Sequence, residues 1–124
     1  KEVVRTLSLR NVHKAFQVDA LNEVRVLNDT LDDTNVFVLA SGKSQAARIY
    51  ERGNHQFSLI SGNQNTTALM KVMDEDGKEW IATEDALINS ESPDEKLVRI
   101  PTHYAFWFSW FSFNEETELY RSGN

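Results

Sequence analysis

Apolar and polar residues change places every few positions along this chain, and the period of the change predicts the element. Residues 3–9 (VVRTLSL) alternate as a strand does, with successive side chains on opposite faces. Asn11-Val12-His13 reads as the turn into a second short strand over 14–18. Residues 19–23 can form one helical turn with Asp19 as its cap, and 25–27 are extended. Asn28-Asp29-Thr30 and Asp32-Asp33-Thr34-Asn35 supply two turn signals close together. The run 36–40 (VFVLA) is apolar throughout and of strand length, which marks the most buried strand. A loop over 41–44 (SGKS) follows, then a strand over 46–51, a hairpin turn at Gly53-Asn54 and its return over 56–60. After a polar loop at 61–65, residues 67–73 and 79–83 flank Asp74-Glu75-Asp76-Gly77-Lys78, where Asp76-Gly77 is a strong tight-turn signal. Residues 84–88 suit a turn of helix or a short strand, 89–95 an exposed connection, and 96–100 a last strand.

Alternation fails at 104–113 (YAFWFSWFSF), which holds two of the three tryptophans and four of the seven phenylalanines. Large rings stand on successive residues there. At about 100° per residue Ala105, Ser109 and Ser112 fall in one stripe and the rings fill the rest of the circumference. This predicts a C-terminal aromatic helix over about 102–113, started by Pro101-Thr102 and stopped after Asn114. Such a helix must be nearly enclosed, by its own domain or by a partner. The expected fold is therefore α+β and mainly β. Seven to eight short strands form a twisted, barrel-like sheet, with the aromatic helix packed on it.

With 124 residues and no internal repeat, the chain is expected to be one domain, 1–124. The net charge of −6 argues against a nucleic-acid backbone as partner. No apolar run reaches the length of about 20 residues that spans a bilayer as a helix. The chain holds no cysteine, so disulfides, thiolate catalysis and cysteine-type zinc sites are excluded. It begins at Lys1 without a methionine, as a processed protein, a trimmed chain or a fragment does.

Candidate chemistry is sparse. Gly42-Lys43-Ser44 resembles the end of a phosphate loop, but Phe37 stands where the first glycine belongs. Asp74, Asp76 and Gly77 suggest a calcium loop, yet Lys78 intrudes and Asp-Gly is more often a hairpin turn. His13, His55 and His103 form no pair at ligand spacing, and His13 and His55 fall in turns where exposure is usual. No metal site and no cofactor are expected. His103, at the start of the aromatic segment, has the most functional promise of the three. Asp32-Asp33 and Glu115-Glu116 diverge on any regular element and make no acid/base dyad. Trp80, Trp107 and Trp110 have faces for stacking, although tryptophan in a small domain is more often core.

The landmarks together resemble a bacterial and archaeal family known as domain of unknown function 3179. Ala15-Phe16-Gln17, Asn28-Asp29-Thr30-Leu31, the strand 36–39 and Tyr50-Glu51-Arg52 follow its order and spacing. So do Phe57 through Gly62, Leu69-Met70 through Asp74 to Trp80, and Trp107-Phe108-Ser109-Trp110 with Thr117 seven residues on. The resemblance implies a Cys-x-x-Cys loop at the positions of Ser41 and Ser44, and a His-Glu pair at those of Val24 and Arg25. Thiolates and imidazole at such positions suit redox work or a soft metal. A serine hydroxyl does neither without a base.

Three functions follow as expectations. The first is a non-catalytic binding or interaction domain, docking a protein partner or a second copy through Tyr104, Phe108 and Phe111. The second is an enzyme using Ser41 or Ser44 with Lys43, His103, Asp29 and Arg52. The third is a small ligand stacked on Trp80 or Trp107. An extracytoplasmic location is expected, periplasmic or secreted, with the cytoplasm as the alternative.

Overall fold

The computed structural model of the chain describes residues 3–9, 12–40, 47–60, 70–107, 110–111, 114 and 116–120. Its elements run β1 (Val3–Leu9), β2 (Val12–Gln17), α1 (Val18–Val24), β3 (Val26–Leu31), β4 (Thr34–Ala40), β5 (Ala47–Glu51) and β6 (Ser58–Leu59). They continue as β7 (Met70–Met73), β8 (Glu79–Ala82), β9 (Ala86–Asn89), β10 (Lys96–Ile100), β11 (His103–Phe106) and β12 (Glu118–Tyr120).

β4 explains the architecture. Its residues from Val36 to Ala40 are all buried, and in an extended chain that requires a layer on each face. Val36, Val38 and Ala40 point to one side, where they meet Leu7 of β1, Phe16 of β2, Leu21 of α1 and Ile49 of β5. Phe37 and Leu39 point to the other, among Tyr50, Phe57, Val72, Trp80, Ala82 and Leu87. The continuous apolar run is therefore two alternating sets serving two cores.

The first core is roofed by a four-stranded sheet in the order β11-β1-β2-β12, together with α1. The second fills the inside of an eight-stranded sheet, β3-β4-β5-β10-β9-β8-β7-β6, which curls into a nearly closed barrel. Neighbours in the eight-stranded sheet are antiparallel throughout. In the four-stranded sheet only β12 lies parallel to its neighbour, β2. Lys14 of β2 ties the sheets together through a 2.6 Å ion pair with Asp29 of β3.

The end strands of the curled sheet, β3 and β6, are joined by a side chain. Asn28 Oδ1 accepts the backbone N–H of Phe57 at 2.9 Å, and Asn28 Nδ2 donates to the carbonyl of Phe57 at 2.9 Å. The primary amide thus imitates a paired residue and satisfies both polar groups of a buried backbone unit.

The mainly β fold and the barrel-like sheet agree with the sequence pattern, and the eight-stranded sheet has the expected number of strands. The remaining strands make a second sheet that the pattern does not separate from the first. The helix expected over 102–113 is corrected in its first half. His103–Phe106 is strand β11, paired with β1 from Thr6↔His103 to Val3↔Phe106. The edge of β1 offers backbone hydrogen bonds and Thr6 Oγ1 donates to the His103 carbonyl at 3.2 Å. That pairing outweighs a helical period read over only ten residues. Helical conformation is found at Trp107, Trp110 and Phe111.

Two local readings are also corrected. Residues 56–60 are not the return of a hairpin from β5, because β5 pairs with β4 and β10 while β6 pairs with β7. The left-handed Gly53 (φ 54°) turns the chain towards the opposite edge of the sheet. Asp19 lies in the first turn of α1, whose cap position is Gln17 with no side-chain cap bond. Of the two forms open to 84–88, residues 86–89 take the short strand, β9.

Replacing Asn28 with alanine is expected to cost about 2–4 kcal/mol in urea unfolding, since it strands one buried donor and one buried acceptor. Asn28→Asp, which keeps only the acceptor, is expected to fall between. A loss below about 0.5 kcal/mol for Asn28→Ala, the scale of an ordinary surface change, would mean that this amide does not hold the seam.

Candidate functional site

Ser41, Lys43 and Ser44 lie outside the described residues, but the positions flanking their loop are well placed. Ala40 and Ala47 are register partners. Arg25, at the end of α1, is bonded twice to Ala40: the Ala40 N–H donates to the Arg25 carbonyl at 2.8 Å, and Arg25 Nε donates to the Ala40 carbonyl at 3.2 Å. Arg25 therefore sits beside Ala40, the residue before the loop, although the two are 15 positions apart in sequence. Arg25 adopts φ 70° and ψ −41°, near the rare γ-turn region that a non-glycine residue enters at a cost of about 1–3 kcal/mol.

The other polar candidates are engaged in holding the fold. Asp29 pairs with Lys14, and its Oδ1 accepts the Thr30 N–H at 2.8 Å. Arg52 is buried and donates to three carbonyls: Nε to Val36 at 2.9 Å, Nη1 to His55 at 2.9 Å and Nη2 to Asp29 at 3.0 Å. Its planar fork matches three fixed acceptors, as a lysine would not. His103 is exposed on β11, in the four-stranded sheet.

Among the aromatic candidates, Trp80 is wholly buried and has no face open to a ligand. Trp107 packs on Phe111 with ring centroids 5.3 Å apart, and Phe111 is 41% exposed. Trp110 Nε1 donates to Thr117 Oγ1 at 2.9 Å, and the Thr117 hydroxyl donates to the Asn114 carbonyl. The Phe108 residue and the Tyr104 side chain are outside the described set.

A constellation with no linear signature forms at the turn of the β7–β8 hairpin. Asp74 and Lys78 close a three-residue loop through a 2.9 Å bond from the Asp74 N–H to the Lys78 carbonyl. Gly77 takes the left-handed position (φ 81°) that this hairpin needs. The Asp74 carboxylate turns inward: Oδ1 accepts the N–H groups of Asp76 at 2.9 Å and Lys78 at 3.0 Å, and Oδ2 accepts Trp80 Nε1–H at 2.9 Å. The 52–56 turn brings His55 against this carboxylate, its ring 5.2 Å from that of Trp80. His55 Nδ1 lies 3.8 Å from Asp74 Oδ2 and 3.0 Å from Glu75 Oε2. The Gln56 N–H donates to Glu75 Oε1 at 3.0 Å. One ligand atom from each of His55, Asp74 and Glu75 falls within 4.8 Å of the others. Exposure in a turn is the sequence expectation for His55, and here only 30% of its side chain is exposed. With His55 and Glu75 20 positions apart, no fixed spacing could have flagged the group.

Both carboxylates ionise more readily than usual. Burial pushes Asp74 up, but the Trp80 indole, the Lys78 and Asp76 N–H groups and nearby His55 together pull it below its ordinary value of 3.8. Glu75 is lowered mainly by the Gln56 N–H, then by its own backbone N–H, with His55 adding to the effect.

Burial, against the opposing pull of Arg48 and Arg99 and with a small push from Asp85, raises the Tyr50 phenol, whose hydroxyl donates to the Thr83 carbonyl. A shallow open cavity of about 310 Å³ lies among Glu84, Asp85, Arg99 and Pro101, and Arg99 Nη1 donates across it to the Glu84 carbonyl.

These hydrogen bonds fall on the residues that carry the resemblance noted in the sequence: Asn28, Arg52, Asp74 with Trp80, and Trp110 with Thr117. Residues 1–117 match the model of a family described as a protein of unknown function, DUF3179. The chain belongs to that family. No curated protein and no solved structure matches it. No helix among the described residues is long and apolar enough to cross a membrane.

Because the Asp74 pKa is depressed in the fold, the unfolded chain takes up its proton first as pH falls. The stability this group contributes is present above its ordinary value of 3.8 and is lost as pH drops below it. Asp74→Asn is expected to lower stability at pH 7 by about 1–3 kcal/mol and to flatten the acid limb of a urea-midpoint profile. Trp80→Phe should shift that limb towards higher pH. An unchanged acid limb in Asp74→Asn would assign it to other carboxylates.

Proposed function

We propose that this chain is a non-catalytic binding domain that engages a protein partner, or a second copy of itself, through its ring-bearing C-terminal segment. The observation that carries the reading is that Phe106 and Phe111 are 49% and 41% exposed, with Trp107 packed on Phe111. Clustered aromatic rings at a surface are common anchors of protein contacts. The correction at 103–106 alters how the segment is presented but not its chemistry. The edge strand β11 leads directly into the helical residues, so backbone hydrogen-bonding groups and rings lie side by side.

A second support is the replacement of reactive groups. The resemblance places cysteines at Ser41 and Ser44 and a His-Glu pair at Val24 and Arg25. The bonds between Arg25 and Ala40 put the Val24-Arg25 pair next to the residue that precedes Ser41, which supports reading the two signatures as parts of one site. Here it carries hydroxyls, a valine and an arginine. The reading is of a scaffold kept without its sulfur and imidazole chemistry.

The enzyme alternative draws less support. Asp29 is paired with Lys14, and Arg52 serves three carbonyls, so neither is poised to activate Ser41, Ser44 or Lys43. Labelling by a serine-reactive probe that disappears in Ser44→Ala would favour it. Stacking of a small ligand retains Trp107 as a candidate platform, with tryptophan quenching by sugars or quinones as its test.

For the binding reading, light scattering after size exclusion is expected to show an assembly larger than the monomer at high concentration, reduced in Phe106→Ser/Phe111→Ser. A monomer at every concentration whose tryptophan emission is wholly blue-shifted would sink it.

A further inference from the structure

Three ligand atoms converge at the β7–β8 turn without any role in the binding surface proposed above. We infer that His55, Asp74 and Glu75 bind one divalent transition-metal ion of the zinc class, through His55 Nδ1, Asp74 Oδ2 and Glu75 Oε2, with solvent completing the sphere.

The geometry is close to what such an ion needs. Ligands about 2.0–2.2 Å from zinc in a tetrahedron stand roughly 3.3–3.6 Å apart. His55 Nδ1 is 3.0 Å from Glu75 Oε2 and 3.8 Å from Asp74 Oδ2. The carboxylate oxygens of Asp74 and Glu75 lie within 4.8 Å of each other, and small rotations of the partly exposed His55 and Glu75 side chains about the buried Asp74 bring all three separations into range.

The donor set selects the class of ion. One imidazole nitrogen with two carboxylate oxygens suits zinc and its borderline neighbours better than calcium or magnesium, which prefer oxygen alone. Charge agrees with this. Both carboxylates are held ionised by hydrogen bonds, so a neutral imidazole leaves two negative charges for a dication to balance.

The outer contacts are those that orient metal ligands. Asp74 is held by the Asp76, Lys78 and Trp80 N–H groups, and Glu75 by the Gln56 N–H. His55 is gripped at its backbone, where its N–H donates to the Arg52 carbonyl and its own carbonyl accepts Arg52 Nη1. Entry is open on the Glu75 side, where the side chain is 40% exposed against 2% for Asp74.

The competing arrangement is an ion pair of protonated His55 with Glu75, in which Nδ1 keeps its proton. A bound ion displaces that proton to solvent and takes the lone pair. It would clip the 52–56 turn to the β7–β8 hairpin, beside the seam where Asn28 holds Phe57. The expected role is reinforcement of the barrel closure.

The test uses the full chain without a histidine tag, titrated with Zn²⁺ by calorimetry and with Co²⁺ or Ni²⁺ by quenching of Trp80. One saturable site per chain is expected, with thermal unfolding moved to higher temperature. Affinity should fall at least about tenfold in His55→Ala and in Glu75→Gln, and stay unchanged in His13→Ala and His103→Ala. Both altered side chains are partly exposed, and far-UV circular dichroism without metal verifies the fold of each variant. Nitrogen-15 spectra of the imidazoles give a second readout: Zn²⁺ should shift His55 Nδ1 selectively. The inference fails if no Zn²⁺ binds at millimolar concentration, if His55→Ala binds as tightly as the parent, or if the shift appears at His13 or His103. None of these results depends on whether the C-terminal rings dock a partner.

Discussion

Five consecutive apolar residues in an extended strand, Val36 to Ala40, are dry only if each face of the strand has its own cover. One cover is the four-stranded sheet with α1, and the other is the far wall of the curled sheet. Once β4 is placed, the two cores are assigned by parity: even-numbered residues go to one and odd-numbered residues to the other. That demand also explains why the eight-stranded sheet bends. A flat sheet would leave Phe37, Leu39 and Tyr50 facing water, whereas a curled one lays Trp80 and Leu87 over them.

Curling brings two strand edges together, and the polar residues most characteristic of the chain are spent on the joints this creates. Asn28 bridges the edges. Arg52 satisfies carbonyls from three separate segments, and Asp74 holds both its own hairpin and the indole of Trp80. Trp110 is tied to Thr117. Each is a case in which a buried backbone or indole group finds its partner in a side chain because the sheet cannot supply one. The residues that identify the family in this chain are thus largely residues of assembly. It follows that these residues speak to architecture first, with Asp74 at once such a joint and a member of the His55–Asp74–Glu75 cluster.

The sequence made the strands legible where alternation or a turn signal was local. β1, β4 and the β7–β8 hairpin needed only their own residues to be seen. Strand partners were less legible. Gly53-Asn54 has the composition of a hairpin turn, yet β6 is drawn to β7 because Phe57 must reach both the aromatic core and Asn28. The aromatic stretch misled for a related reason. Rings on successive residues suit a helix by period, but the edge of β1 was available to His103–Phe106, and no local pattern reveals a free edge 100 residues away. Of the candidate sites, Val24 and Arg25 were linked to the 41–44 loop only through resemblance, and the structure supplies the physical link at Ala40. His55, Asp74 and Glu75 come from separate turns, so only folding brings them together.

β11 and β12 flank the β1–β2 hairpin on its two sides, and both come from the far end of the chain. During synthesis this hairpin therefore emerges with both of its edges bare and remains so until residues 103–106 and 118–120 have left the ribosome. Such long-range pairing folds slowly, and bare strand edges invite partners from neighbouring chains. The β1–β2 hairpin has to be kept waiting, and whatever shields it in the interval, a chaperone or the early collapse of α1 onto β1 and β2, is as much a condition of the native state as the contacts that finally replace it.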